Sequence, residues 1–297
     1  MRWVAIVAAI VALALPAAAQ ADGIYTTCYS NPTCTDQLGA IHSTMPHVDR
    51  VLNYGAQELS LGERRAYQGF ASSLGQKLIW PIPGDWPCNG PATPNVADRV
   101  DSESSWASTW GFYIGEEGAA APCAATIANH TNLPRLYVDG PRDSGRIDWG
   151  DIARFDTYKT KAERLGVECY PIKSSGLFDP STCDDELRFV RQQVVDDSPT
   201  DAASAVIGVP QAFSWSDNAC DSGFCDGVTG LQGPYPSRAD QCAMRASMDP
   251  PSTSLIWFDY YFMVSPWTVN DQHGAVSGHA PVNARARLDG VIADPGC

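Results

Sequence analysis

Eight short apolar runs, spread along the chain and separated by segments of helical spacing, narrow the possible folds more than any other feature. They lie at residues 23–27, 50–54, 77–82, 111–116, 135–139, 167–172, 205–213 and 254–261. Each is rich in Val, Ile, Tyr or Trp with little polar alternation, as expected of strands buried on both faces. Several finish in a carboxylate, an amide or an aromatic ring. The most pronounced is Gly111-Phe112-Tyr113-Ile114-Gly115-Glu116-Glu117, an apolar strand tipped by two acids.

The intervening segments read as helices. Leu38, Ile41 and Met45 share a face after the first run. Ser60 with Glu63 forms a capping-box pattern, Ala66, Phe70 and Leu74 follow at helical spacing, and Gly75 is the stop. Ile152, Phe155, Ala162 and Leu165 repeat the scheme before Gly166. Ser181 with Asp184 opens a helix carrying Leu187, Val190 and Val194, and Ser237 with Asp240 opens another.

Strand–helix alternation implies parallel strands joined by right-handed crossovers. Eight such units favour closure into a single (β/α)8 barrel, which needs about 250 residues. A doubly wound open sheet is the main competitor, but it lacks a glycine-rich phosphate loop here. In a closed parallel barrel the carboxyl ends of the strands meet at one mouth, where such folds carry their chemistry.

Residues 1–21 read as a secretory signal peptide. Arg2 precedes an apolar stretch too short to span a membrane comfortably, and Ala17-Ala18-Ala19 and Ala19-Gln20-Ala21 are small-residue cleavage patterns. Residues 22–297 form the single barrel domain, expected to be secreted, extracellular or periplasmic, and free of the membrane once the leader is cleaved. Its ten cysteines suit an oxidising compartment and up to five disulfides. Spacing suggests local loops for Cys28/Cys34 and Cys220/Cys225, and Cys297 ties down the C-terminus. With 34 acidic against 20 basic residues the formal net charge is −14, which repels nucleic acid and anionic lipid. A monomer is expected.

The acid pair and its neighbours resemble the glycoside-hydrolase (β/α)8 barrels, particularly the retaining-glycosidase superfamily whose acid/base glutamate ends the fourth strand. The resemblance rests on Val51-Leu52-Asn53-Tyr54, Lys77-Leu78-Ile79-Trp80-Pro81-Ile82, Tyr113-Ile114-Gly115-Glu116-Glu117, Glu168-Cys169-Tyr170-Pro171-Ile172 and Gln211-Ala212-Phe213. It implies a carbohydrate substrate and places the general acid at Glu117, ahead of Glu116. The superfamily nucleophile ends strand seven, where this chain has Gln211, able to bind a sugar hydroxyl but not to attack. A second carboxylate must then come from Asp139, Glu168 or Asp259, with Glu168 preferred. Trp80, Trp86, Tyr113, Tyr137, Tyr170, Trp215 and Trp257 lie at or near the strand ends as candidate sugar platforms, Trp80, Trp86 and Trp215 foremost, and Asp139 and Asp259 are further substrate contacts.

No cofactor or metal is called for. The chain has neither G-x-S-x-G nor HExxH. His42 with His47 and His273 with His279 are loosely spaced and read as surface or hydrogen-bonded histidines. Two alternatives stay open: a non-catalytic carbohydrate-binding or interaction barrel that has lost its nucleophile, and a metal-dependent hydrolase using Asp139, Asp259 and a histidine.

Overall fold

The computed structural model describes residues 22–26, 28, 30–83, 85–91, 94–116, 123–139, 164–169, 183, 187–188, 190–192, 206–210, 237–248, 255–258, 288–294 and 296–297. Eight strands run through them: β1 (Asp22–Thr26), β2 (Val48–Asn53), β3 (Lys77–Pro81), β4 (Thr109–Glu116), β5 (Arg135–Asp139), β6 (Arg164–Cys169), β7 (Val206–Pro210) and β8 (Ile256–Phe258). All ladders are parallel, in the order β7-β6-β5-β4-β3-β2-β1-β8. Because β1 pairs with both β2 and β8, and β7 abuts β8, the sheet curls into a nearly closed barrel rather than the open alternative.

The alternation of side chains across each strand divides the apolar residues into two populations. Ile24, Val51, Leu78, Trp80, Phe112, Tyr137, Val167 and Trp257 pack outward under the helices. Tyr25, Leu52, Ile79, Tyr113, Leu136, Val138, Ile207, Val209 and Ile256 fill the barrel interior. Both faces are dry, which is why the strands read as apolar runs.

Helix α1 (Asn31–Thr44) buries Leu38 and Ile41 as the spacing foretold, with Met45 fully buried just beyond it. A one-turn 3-10 helix, η1 (Tyr54–Glu58), follows β2 directly. Helix α2 (Leu61–Leu74) starts on the expected capping box, with Ser60 and Glu63 bonded reciprocally, and ends at Gly75. Its buried face differs from the Ala66–Phe70–Leu74 stripe. Arg64, Tyr67 and Ala71 point inward, while Ala66 is exposed and Phe70 and Leu74 are half-buried. The rotation follows from what α2 must meet, since Tyr67 packs edge-on to Trp80 at 5.9 Å and Arg64 pairs with a buried glutamate.

Helices α3 (Val96–Ser104), α4 (Ala124–His130) and α5 (Arg238–Met248) follow along the chain, and residues 187–188, 190–192 and 288–292 are helical as well. The Ser237–Asp240 box caps α5: Asp240 Oδ2 accepts from Ser237 N at 2.8 Å and Ser237 Oγ from Asp240 N at 3.2 Å. Leu187 and Val190 are buried as expected, whereas Val194 lies outside the described residues.

Strand β6 begins three residues earlier than the apolar run suggested, so Leu165 and Gly166 belong to the sheet and do not end a helix. A Cβ on Gly166 would stand 2.7 Å from Val138 Cγ2 and 3.1 Å from Val209 Cγ2, so the neighbouring strands demand glycine there.

At the amino end of the barrel Asp22 ties three elements together. Its carboxylate accepts from Arg245 Nη1 of α5 at 3.1 Å, Trp257 Nε1 of β8 at 3.0 Å and Leu255 N at 3.2 Å. Among the described residues four disulfides join Cys28–Cys34, Cys88–Cys123, Cys169–Cys183 and Cys242–Cys297. The first and last match the expected local loop and terminal tether, while the Cys220/Cys225 pairing lies outside the described residues. His47 bonds Asp289 through Nδ1 at 3.0 Å, and His42 sits exposed on α1. No described helix is long and apolar enough to cross a membrane. The proposed leader, residues 1–21, lies outside the described residues.

Candidate active site

The carboxyl ends of the strands define one mouth. Tyr25 of β1, Tyr54 at the start of η1 and Tyr113 of β4 form a triangle of rings there. Tyr25 stands 5.9 Å from Tyr113, and Tyr54 stands 6.3 Å from each of the others. Tyr25 and Tyr113 are buried and belong to the interior packing, whereas Tyr54 is half-buried and opens outward. The sequence reading included Tyr113 but missed Tyr25 and Tyr54 as site residues. A tyrosine near the end of each of these runs was the available signal.

Beside the triangle, β4, β5 and β6 end on acidic positions in succession. Glu116 closes β4 and stands opposite Val138, Asp139 closes β5 opposite Val167, and Glu168 is the penultimate residue of β6 opposite Val209. Glu168 is only 3 % exposed. Its neighbours Leu165, Val167 and Cys169 pack outward, so strand alternation turns Glu168 toward the barrel interior. A buried carboxyl in that position requires polar partners or a task.

The register of β4 changes just before its acids. Tyr113 faces Leu136 and Gly115 faces Tyr137, so two steps on β4 match one on β5. Gly115 adopts φ 153°, a conformation that favours glycine. Such a bulge resets which residues share a face and is common beside active sites. Simple alternation from Tyr113 would have aligned Glu117 with the interior row, whereas the bulge brings Glu116 level with the interior residue Val138. Glu117 itself lies outside the described residues, as do Tyr170, Gln211, Trp215 and Asp259.

Trp80 is not at the mouth. It is 1 % exposed on the helix side of β3, edge-on to Tyr67 and to Trp106 at 5.5 Å, with its Nε1 donating to Thr109 Oγ1 at 3.1 Å. It serves the packing between β3 and α2, which an aromatic of this size does well.

Trp86 has a different setting. It lies half-buried in the loop between β3 and α3, on one wall of a groove of about 470 Å³ at the barrel mouth. Pro83, Asp85, Trp86 and Pro94 form that wall, while Tyr54, Gln57, Glu58, Ser60 and Arg64 form the other. Both walls rest on Glu103 of α3, which is wholly buried. Glu103 Oε1 pairs with Arg64 Nε at 2.5 Å, and its two oxygens accept from Arg99 Nε at 3.0 and 3.1 Å. Arg64 Nη1 donates to the Leu59 carbonyl, and Arg99 Nη1 reaches Gln57 O at 3.5 Å. Arg99 also lies against the Trp86 ring, 5.4 Å from its centroid. Burial holds the Arg99 guanidinium below its usual range, Glu103 opposes that shift, and the neighbouring Arg64 adds to it. The Cys88–Cys123 disulfide fastens the Trp86 loop to the start of α4.

Among the described residues no cluster of three or more His, Cys, Asp or Glu could hold a metal ion. No family model and no curated protein matches the chain. Solved structures do. The fold is similar to that of a GH113 β-mannanase from Alicyclobacillus acidocaldarius, with a TM-score of 0.50 and 12% identity over 93% of this chain and 99% of that one. It is also similar to a β-galactosidase from the psychrophilic Marinomonas ef1, with a TM-score of 0.53 and 8% identity over 89% of this chain. The chain spans 58% of the length of that β-galactosidase. At such identities the likeness establishes the fold, a (β/α)8 barrel of the kind these glycoside hydrolases use.

Proposed function

We propose that this chain is an exported glycoside hydrolase that cleaves a poly- or oligosaccharide by carboxylate acid/base catalysis, acting as a monomer without a cofactor. The observation that carries this reading is the run of acidic positions at the ends of β4, β5 and β6, at the mouth of a barrel shared with a β-mannanase and a β-galactosidase. The four described disulfides suit the exported setting.

In this mechanism the acid pair after β4 supplies the general acid, with Glu117 donating the proton to the glycosidic oxygen and Glu116 beside it. Glu168 is the second carboxylate. It either attacks the anomeric carbon, if about 5–5.5 Å from the acid, or activates water for that attack, if about 6.5–9.5 Å away. The acid at this step must carry its proton, a form that a low-dielectric setting favours for a carboxyl group. Gln211, Asp139, Asp259, Tyr170 and Trp215 would contact the sugar.

The test compares the mature protein with Glu117→Gln, Glu116→Gln and Glu168→Gln on a panel of glycans. Loss of hydrolysis by about two orders of magnitude or more in Glu168→Gln and in one of the β4 variants is the expected result. Equal turnover in all four proteins would sink the assignment, and glycan binding without turnover by the unmodified protein would convert it to a binding barrel.

A further inference from the structure

We propose that Asn89-Gly90, in the loop between β3 and α3, is a self-modification site at which the asparagine converts spontaneously to aspartate and isoaspartate. It is the chain's one Asn-Gly pair. Both residues are exposed, Gly90 adopts φ 111°, and the space about its α-carbon is open. Among the described residues neither the Asn89 side chain nor the Gly90 amide makes a hydrogen bond. An electrophile, a nucleophile and room for their approach thus meet at one exposed point.

The Gly90 amide gives up its proton to hydroxide, and its nitrogen attacks Asn89 Cγ. An N–Cγ bond forms, the Cγ–Nδ2 bond breaks, and the departing nitrogen takes a proton from water and leaves as ammonia. Water then opens the cyclic imide. Cleavage of the new N–Cγ bond yields aspartate, while cleavage between that nitrogen and the Asn89 backbone carbonyl yields isoaspartate. Water is the only co-reactant, and either product adds a negative charge. Glycine on the attacking side leaves the nitrogen unhindered, because it has no side chain to crowd the ring.

The same chain holds contrasting cases. Asn132 is exposed too, but the amide after it, Leu133 N, donates to Thr131 Oγ1 at 3.1 Å, and leucine brings a side chain to the attacking residue. Asn129 is exposed in the last turn of α4, where the following residue, His130, is still helical and its amide is committed to the helix ladder. Asp22-Gly23 has the atoms for the same ring. There, however, Gly23 N donates to Leu255 O at 2.7 Å, and three donors hold the Asp22 carboxylate.

The loop concerned is the one that carries Trp86 to the groove wall. Its backbone is anchored on both sides of Asn89: Cys88 O accepts from Ala97 N at 3.1 Å, and Gly90 O accepts from Asn95 Nδ2 at 3.3 Å. Isoaspartate inserts an extra methylene between those two fixed carbonyls. The groove wall therefore changes with the age of the molecule, whatever the groove binds.

The test ages the folded mature protein in mildly acidic and mildly alkaline buffer. Reduction, proteolysis and fragment-ion sequencing then locate each NH-for-O mass gain, and isoaspartate is read by its distinct backbone fragments. Conversion at Asn89 should run about tenfold or more ahead of that at Asn129 and Asn132, as the glycine predicts. It should be faster in the alkaline buffer and should give both products. Asn89→Gln should remove this early gain. Conversion no faster than at Asn132, a rate indifferent to pH, aspartate without isoaspartate, or a gain that appears only after unfolding in urea would each overturn the proposal.

Discussion

Replacing Glu103 by glutamine should be among the most damaging single changes in this protein, although the residue lies in the helical layer beneath the groove. Glu103 is fully buried and is the shared counter-ion of Arg64 and Arg99, which are 7 % and 3 % exposed. The glutamine keeps the shape but leaves two guanidinium groups in a dry site with no carboxylate between them. Removing one partner of a buried pair costs about 3–5 kcal/mol. Mutual repulsion of the two arginines, already visible in the lowering of Arg99 by Arg64, pushes the loss toward the upper end. Against a total stability of about 5–15 kcal/mol, that is a third or more of the whole. Urea denaturation followed by tryptophan fluorescence reads it as a shift of the midpoint at unchanged slope. The triple replacement Arg64→Met/Arg99→Met/Glu103→Leu removes all three charges together and should recover most of the loss, because apolar substitution of a whole buried ionic cluster is often neutral or stabilising. Stability of Glu103→Gln within about 1 kcal/mol of the original, or a triple variant no better than the single one, would refute the description of this cluster as desolvated and mutually dependent.

Two further outcomes follow from the lower end of the barrel and the terminal tether. Burial raises the Asp22 carboxyl above its ordinary value of 3.8, while Arg245, Trp257 and the Leu255 amide pull it back. The folded state then binds this proton more tightly than the unfolded chain, so the stability of the wild type relative to Asp22→Asn should fall as pH rises from about 3.8 through the folded value and level off above it. A relative stability that instead rises over that window would show Arg245 to be the dominant influence. The Cys242–Cys297 bond joins α5 to the last residue of the chain across a separation of 55 residues. Its replacement by two serines should cost about 2–5 kcal/mol in the same urea assay, and a cost below about 1 kcal/mol would show that the C-terminus is held by its other contacts.

The sequence was most legible where local chemistry decides. The Ser60–Glu63 and Ser237–Asp240 boxes need only four neighbouring residues, and both start helices where their pattern said they would. The repeated strand–helix alternation was enough for the barrel. What escaped depends on partners distant in sequence. The inward face of α2 is set by Arg64 reaching Glu103, a pair that no helical periodicity favours, because arginine ordinarily marks the wet side. Gly166 read as a helix stop, since nothing local announces that Val138 and Val209 crowd its α-carbon. Trp80 read as a platform because strand parity alone does not tell the inside of a barrel from the outside. The bulge at Gly115 had the same origin, and it is the reason that Glu116 and Glu117 both require testing.

The three tyrosines at the barrel mouth act as a partition. The interior that they cap is aliphatic, with Leu52 and Leu136 in register with Tyr25 and Tyr113, and Ile79, Val138, Ile207, Val209 and Ile256 filling the rest. Above them stand the strand tips and loops. A partition of this kind uncouples two kinds of evolutionary change. Loops on the upper side can lengthen, shorten or exchange their side chains to suit a new ligand while the tightly packed lower side is left undisturbed. Substitutions that would wreck a one-piece core become affordable when they fall above the rings. In that sense Tyr25, Tyr54 and Tyr113 mark the border between the part of the molecule that must stay constant and the part that is free to specialise.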